Sequence, residues 1–571
     1  MARLDEEFER RWHLEAEAVM SGMKEWRLQH PKATFREIEA AVDEKLSGMR
    51  ARLLEDLALA SRAADLQDKQ AGGRPHCPSC GHVLESQGKQ ERTILTHGGR
   101  EVHLKRDYAC CPACGSGLFP SRGRTGIGKG AGHGSVGPIE LAPAPDLKRL
   151  LPVLPGLFSP LDEELELLPG SLSPRLQEDL VHLSTWMPFE RAATELAYFT
   201  RVEVSDTSVR RHTEAAGAAY VAVQTAELER LERERPLGPH GPDVLQVSAD
   251  GAMVPLVGGE WAEVKTVAIG RVEVVPDRDG VAQAHARDLG YFSRLADAET
   301  FTREAWVELY RAGIARSKTV CGVMDGADWE QTFLDVHRPD AVRILDFPHA
   351  VEYLTKAAQT TWCVDAAKAD AWVEQQAHIL KHDEHGAATV LKALAHLPVD
   401  QATDRRTAYQ ARDTALNYLT KRLNQIQYAA FQAQGFPIGS GSVESANKLV
   451  VEARLKGSGM HWARVHVNAL VALRTIACAD RWAEAWPQIE RHLRDHARQV
   501  RARRQRQRRA PQLPACPSMA SAPGKASRAP RIVPPDRSPR MMNGRPTAHH
   551  PWKKRPLLAG GRRAIAAQPK S

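Results

Sequence analysis

The stretch Val244–Leu256, VLQVSADGAMVPL, decides how the rest of the chain is read. Its apolar and β-branched residues run into Asp250-Gly251. A second stretch of the same texture, KTVCGVMDGAD (318–328), runs into Asp325-Gly326. An apolar run closing on Asp-Gly predicts a buried strand whose carboxylate is left exposed at its C-terminal edge, because glycine lets the backbone turn away. Ligands of α/β sheets gather at that edge. Between the two stretches lie a Gly258-Gly259 turn, a strand candidate WAEVKTVAIGRVEVV (261–275), a shorter one near DLGYFSRL (288–295), and a helical pattern from Thr300 to Ser317. AVRILDFPHA (341–350) adds a last strand ending near Asp346. The order β-β-β-α-β-α-β predicts an α/β domain with a mixed sheet, over about residues 242–490.

Downstream, Val351 to Ala433 carries no strand pattern and is expected to be helical. GFPIGSG (435–441) breaks that pattern, and a helix should start at Ser442 with Glu444 near its beginning. Asp250, Asp325 and Glu444 are then three carboxylates from separated segments. Such a set holds two divalent ions about 4 Å apart, which activate water or a 3′-hydroxyl and stabilise the leaving oxygen in phosphoryl transfer. Asp346, at its own strand end, is the alternative second aspartate.

Upstream, CPSCG (77–81) and CPACG (111–115) are two C-x-x-C knuckles joined by ERTILTHGGREVHLKRDYA (91–109), which alternates like a hairpin turning at Gly98-Gly99. Cys77, Cys80, Cys111 and Cys114 are expected to hold one structural zinc as a ribbon, over residues 71–120, with Cys110 spare. Residues 1–70 read as helices, with a Thr34–Glu37 capping box. GRTGIGKGAGHGSVGP opens a Gly/Pro-rich linker over 121–160; it imitates a phosphate loop, but Gly130 stands where Ser or Thr is required. Residues 161–235 are helical. Within them two short helices joined by a tight link, one from Pro188 to Thr200 and a second capped by Ser205, match a helix-turn-helix that would turn Thr207, Arg210 and Arg211 to DNA. A helical hairpin with no DNA role is the competing reading. His378, His382 and His385 share one face of a helix, which reads as solvated.

The chain has 571 residues, 42% hydrophobic and 26% charged, which excludes collagen-like and wholly disordered classes. No apolar run reaches about 18 residues, so no membrane helix is expected, and the N-terminus reads as helix rather than signal peptide. The net charge of +8 conceals an asymmetry. Residues 498–571 hold 19 Lys and Arg against the single acid Asp536, whereas residues 1–497 hold 59 basic against 69 acidic residues. The basic segment, rich in Pro, Arg, Ser and Ala, is expected to be a disordered tail binding DNA without sequence preference.

Together, the knuckles, VSADGAMVP, VMDGADW, ILDFPHAVEYL and FPIGSGSVESANKLVVEARLKGSGMHW resemble the ISKra-type family of insertion-sequence transposases, relatives of the Mutator-like group. The resemblance covers roughly residues 70–490. It implies a multidomain protein with an RNase H-like DDE catalytic domain, in which Asp250, Asp325 and Glu444 are the catalytic acids and 351–433 the helical insertion. It implies Mg2+ or Mn2+ at those acids, DNA as partner (terminal inverted repeats and target), a homo-oligomer on DNA, no membrane, and a prokaryotic, cytoplasmic, nucleoid-associated setting. Lys448, Arg454 and Lys456 would contact the scissile phosphates, although Lys448 also stands one turn from Glu444 as an ordinary ion pair would. A DNA-binding regulator with an inert sheet is the competing function.

Overall fold

The sheet at the centre of the chain is built on β3 (Val244–Pro255). β4 (Trp261–Pro276) returns antiparallel to it through left-handed Gly258 and Gly259, and β5 (Ala282–Arg294) returns antiparallel to β4. β6 (Thr319–Met324) lies parallel to β3 on its other side, and β7 (Val342–Leu345) parallel to β6. The order is β5-β4-β3-β6-β7, a mixed five-stranded sheet. The structure is a computed structural model that describes residues 6–66, 76–77, 80–113, 159–276, 280, 282–509, 541–542 and 545–546. Cys114 and the linker from 121 to 158 lie outside the described residues, and the linker's last two positions, Ser159 and Pro160, open a helix.

Side chains alternate across the sheet, as a pleated strand requires. Leu245, Val247 and Ala249 enter one apolar core with Phe301, Phe333 and Leu334. Ala252 and Val254 enter another with Val443, Ala446 and Val450. Both faces are therefore covered, and before Asp250 β3 is buried on both, apolar on one face and carrying Gln246 and Ser248 on the other.

The chain begins with two antiparallel-packed helices, α1 (Glu6–Gln29) and α2 (Phe35–Leu59). Thr34 accepts from the Glu37 amide while the Glu37 carboxylate accepts from Thr34 N at 2.7 Å, so the capping box forms. β1 (Glu85–Thr96) and β2 (Arg100–Cys110) make a hairpin whose turn uses left-handed Gly98 and Gly99. Among the described residues the helices that follow are α3 (Pro160–Glu164), α4 (Pro174–Trp186), α5 (Phe189–Thr200) and α6 (Asp206–Glu234). α7 (Ala298–Arg311) carries the chain from β5 towards β6, and α8 (Asp328–His337) from β6 to β7. Beyond β7 come α9 (Phe347–Thr361), α10 (Ala366–His382), α11 (Gly386–Ala395), α12 (Arg405–Lys421) and α13 (Tyr428–Ala433), packed on Val323, Ile344 and Leu345 of β6 and β7. The last elements of this unit are α14 (Gly441–Ala446), a π turn (Asn447–Glu452), α15 (Ala453–Leu455), α16 (Arg464–Cys478) and α17 (Trp482–Arg509).

Two expectations change. The second helix of the helix-turn-helix reading is not short: α6 has 29 residues and continues into the core. Gly217 permits this, because a Cβ there would lie 2.1 Å from the Ala469 carbonyl oxygen of α16. The tail does not start at 498 either. Residues 498–509 complete α17, and Arg498 and Arg501 pair with Glu163 of α3. Basic residues facing an acid can anchor a helix that composition alone assigns to disorder. The chain divides into residues 1–510 and 511–571; in the second only Met541–Met542 and Arg545–Pro546 are described, pairing as two short antiparallel strands. Among the described residues no helix is long and apolar enough to cross a membrane.

A truncation after residue 497 should therefore melt below one after residue 509, by the equivalent of about 1–2 kcal/mol, since it removes both Glu163 pairs and buried Val500. Thermal unfolding of the two truncations checks this.

Candidate functional site

Asp250 does not close β3. The strand continues through Gly251 to Pro255, and Asp250 sits opposite Thr266 of β4, three residues past Val247, the last residue paired with β6. Gly251 therefore makes no turn. A Cβ there would lie 2.3 Å from Glu263 Oε1, so glycine leaves room for that side chain. Asp325 does follow a strand end. Gly326 after it is left-handed (φ 89°) and bends the chain into α8. Around this bend Tyr418 donates to the Asp325 carbonyl and Arg422 to the Gly326 carbonyl, both from α12 and the residue after it.

Because β6 lies beside β3, the two aspartates meet. With them the structure brings a residue that sequence reasoning missed, Glu330 of α8. One carboxylate oxygen from each of Asp250, Asp325 and Glu330 lies within 4.8 Å of the others. Each acid is also held by hydrogen bonds. Asp325 Oδ1 accepts from Ala327 N at 2.8 Å. Glu330 Oε2 accepts from Gly326 N and Ala327 N at 3.0 and 3.2 Å, the position from which a glutamate caps its own helix. Asp250 accepts from Gly251 N at 2.6 Å and from Asn447 Nδ2 at 2.9 Å.

The electrostatics follow from crowding acids in a buried place. Burial pushes the Glu330 carboxyl up to about 10, helped by the Asp325 charge and a hydrogen bond shared with it. Asp250 is raised as well, first by burial and then by the charges of Asp325 and Glu444, against the opposing pull of the Gly251 amide and Asn447. Glu444 is thus close enough to act on Asp250, but it lies on α14, exposed and outside the three-acid group, with Ser440 Oγ 3.4 Å from its Oε1. α14 is tied to β3 by Gln246 Nε2, which donates to Ser442 Oγ at 3.0 Å.

Asp346 is elsewhere. It is 3% exposed and caps α9, accepting from His349 N at 2.9 Å, while its other oxygen accepts from Ser440 N at 2.6 Å. It joins α9 to the loop that precedes α14 and is not in the acidic group.

The basic residues near Glu444 separate. Lys448 is exposed, and Lys456 pairs with Glu452 at 2.5 Å. Arg454 corrects an expectation: at 2% exposure it is not available to a DNA phosphate. Its Nε donates to the Ser184 carbonyl at 3.0 Å, and its guanidinium lies over the rings of Phe189 and Trp462. Burial and neighbouring Arg474 bring it down to about 10. Arg474, 1% exposed, donates to the Thr185, Leu449 and Val450 carbonyls. The two arginines thus occupy carbonyls at the end of α4 and in the π turn, groups that have no partner in an ordinary helical ladder. Arg454→Ala should cost about 2–4 kcal/mol of stability through lost packing and freed carbonyls. Denaturant unfolding checks this, and the salt dependence of DNA binding should not change.

Arg210 and Arg211 are exposed on the first turns of α6, and Thr207 is half-buried. His212 beside them is held down to about 4 by burial and stays neutral.

A second cluster of possible metal donors lies where the β1–β2 hairpin begins and ends. The sulfurs of Cys77, Cys80 and Cys111 lie within 4.8 Å of one another, with Cys80 and Cys111 at 3.4 Å. Left-handed Gly81 forms the first knuckle, its amide donating to the Cys77 carbonyl at 2.9 Å. Cys110 turns its thiol to the Cys111 carbonyl. Three clustered thiols are a soft donor set suited to zinc, and the three carboxylates a hard one suited to Mg2+ or Mn2+. A scan of protein-family models gives no match to this chain, and a search of curated proteins gives none.

Proposed function

We propose that this chain is a DNA transposase of an insertion sequence, with an RNase H-like DDE catalytic domain. It binds terminal inverted repeats, cuts the element ends by hydrolysis and joins the 3′-hydroxyls to target DNA. The observation that carries this reading is the meeting of Asp250 and Asp325 from neighbouring parallel strands, with Glu444 acting on Asp250 from a helix almost 200 residues later in the chain. In an RNase H-like sheet the strand bearing the second aspartate lies beside the first, as β6 lies beside β3.

Bound divalent ions would polarise the scissile phosphate and activate the attacking oxygen. The protein's own part is positional. Asp250 is fixed by Gly251 and Asn447 and Asp325 by Ala327, and both stay half-exposed, open to an incoming phosphate and water. Glu444 and Lys448 are exposed, and so accessible to an incoming backbone phosphate. No covalent protein–DNA bond is needed, so no Tyr or Ser takes part. Arg210 and Arg211 on α6, and the zinc-ribbon hairpin, are the proposed readers of the element ends.

Purified protein on labelled element ends, with Mg2+ and then with chelator, tests the proposal. Metal-dependent nicking at the ends followed by strand joining supports it. Binding without nicking would leave a DNA-binding regulator.

A further inference from the structure

We propose that Glu330 and Asn447 join Asp250 and Asp325 in a tight site for one hard divalent cation, Mg2+ or Mn2+, that forms without Glu444; the purpose of this site rests on the transposase reading, while its existence does not.

The three acids come from β3, the β6–α8 bend and α8, and their oxygens are within 4.8 Å. The charged neighbours that bear most on Asp250 and Glu330 are other carboxylates. Among the described residues no lysine, arginine or histidine pairs with any of the three, and Arg422 beside them reaches the Gly326 carbonyl instead. An acidic cluster alone proves little, but Asn447 adds an independent sign. It is 4% exposed and directed at the cluster, its Nδ2 2.9 Å from Asp250 Oδ2. Its Oδ1 is buried and has no hydrogen-bond partner. A buried amide oxygen left unpaired costs about 1–3 kcal/mol, so a native structure retains one where something else satisfies it. Carboxylate and amide oxygens are the ligands that hard cations take. Asn447 is the first residue of the π turn, and π turns concentrate at functional sites. Glu444, exposed and outside the group, would serve a second, weaker ion that arrives with DNA.

The helix-capping role of Glu330 predicts something different. If it only caps α8, a neutral glutamine does the same work, since its oxygen still accepts from Gly326 and Ala327. Mn2+ titration of the full chain without DNA, followed by the electron-spin resonance of free Mn2+, separates the two. Wild type should bind one Mn2+ per chain tightly. Glu330→Gln and Asn447→Ala should each weaken it at least about tenfold, and Glu444→Gln less than about threefold. Melting temperature without metal shows whether each variant is folded; should Glu330→Gln unfold, Asn447→Ala against Glu444→Gln carries the comparison. The proposal is overturned if wild type binds no Mn2+, if Glu330→Gln and Asn447→Ala bind as wild type does, or if Glu444→Gln loses as much as they do. Cleavage of element ends in spite of those results would keep the transposase reading. Tight Mn2+ binding without cleavage would keep the cation site and remove that reading.

Discussion

Asp250→Asn and Asp325→Asn are each expected to lower cleavage of element ends by orders of magnitude while leaving end binding nearly intact. The two side chains share one site, so losing either leaves the other unable to place an ion. The double variant should accordingly be little worse than either single one, as for residues that act as a unit. Binding should hold or improve slightly, because each change removes negative charge near incoming phosphates. Glu444→Gln should also abolish cleavage. Asp346→Asn is the internal control: asparagine keeps one acceptor for the His349 and Ser440 amides, so it should cost about 1–2 kcal/mol of stability and a partial loss of rate. Single-turnover cleavage beside a gel-shift titration measures both halves. If Asp325→Asn stays active while Asp346→Asn is dead, the pair has been misassigned. If all four variants cut normally, the catalytic proposal fails.

Cys111→Ser should be the most damaging change outside that site. Cys111 is wholly buried, within reach of the Cys77 and Cys80 sulfurs, at the point where β2 ends. If the three thiols hold zinc, a hairpin with so small a core draws its folding energy from that metal, and losing a thiolate should release it and unfold the hairpin. Specific end binding should vanish, with the five-stranded sheet still folded. Metal analysis of wild type and variant, with circular dichroism and end binding, gives the outcome; freshly purified wild type without zinc would remove the premise.

How much of this was legible depended on whether a residue's role is local. The β3–β4 turn at Gly258-Gly259, the Gly98-Gly99 hairpin and the Thr34 cap are written in a few adjacent residues, and each forms. The sheet is legible too, because its strands are apolar runs bounded by turns. What failed is what distance in sequence conceals. Gly251 looks like the pivot of an Asp-Gly turn, yet it answers to Glu263 on the next strand. Glu330 looks like an ordinary residue of a helix's first turn and is one, but the same turn sets it against Asp325. Arg454 sits among Lys448, Lys456 and His461, and composition assigns such a residue to the surface; only the aromatic rings of Phe189 and Trp462, remote in sequence or beyond the helix, show why it is inside. The helical span to Arg235 was legible, but not that one unbroken helix fills it from Asp206, because the middle of its buried face is small residues (Ala215, Ala216, Gly217, Ala219).

A π turn is an α-helix that has absorbed one extra residue. From Asn447 to Glu452, therefore, the positions that share a face with Glu444 are not those that helical spacing suggests, and the Glu444–Lys448 pairing loses its basis. The same geometry makes the segment unequally tolerant of genetic change. Substituting exposed Leu449 should be mild. Deleting its codon should let the segment wind as plain α-helix and rotate one flank against the other by about 100°. Arg454 is locked in the core, so the rotation would fall on Asn447 and Glu444, carrying both away from Asp250 without necessarily unfolding the chain. In a library of single-codon deletions, loss of activity confined to 447–452 among folded members would mark that register as something selection has to preserve.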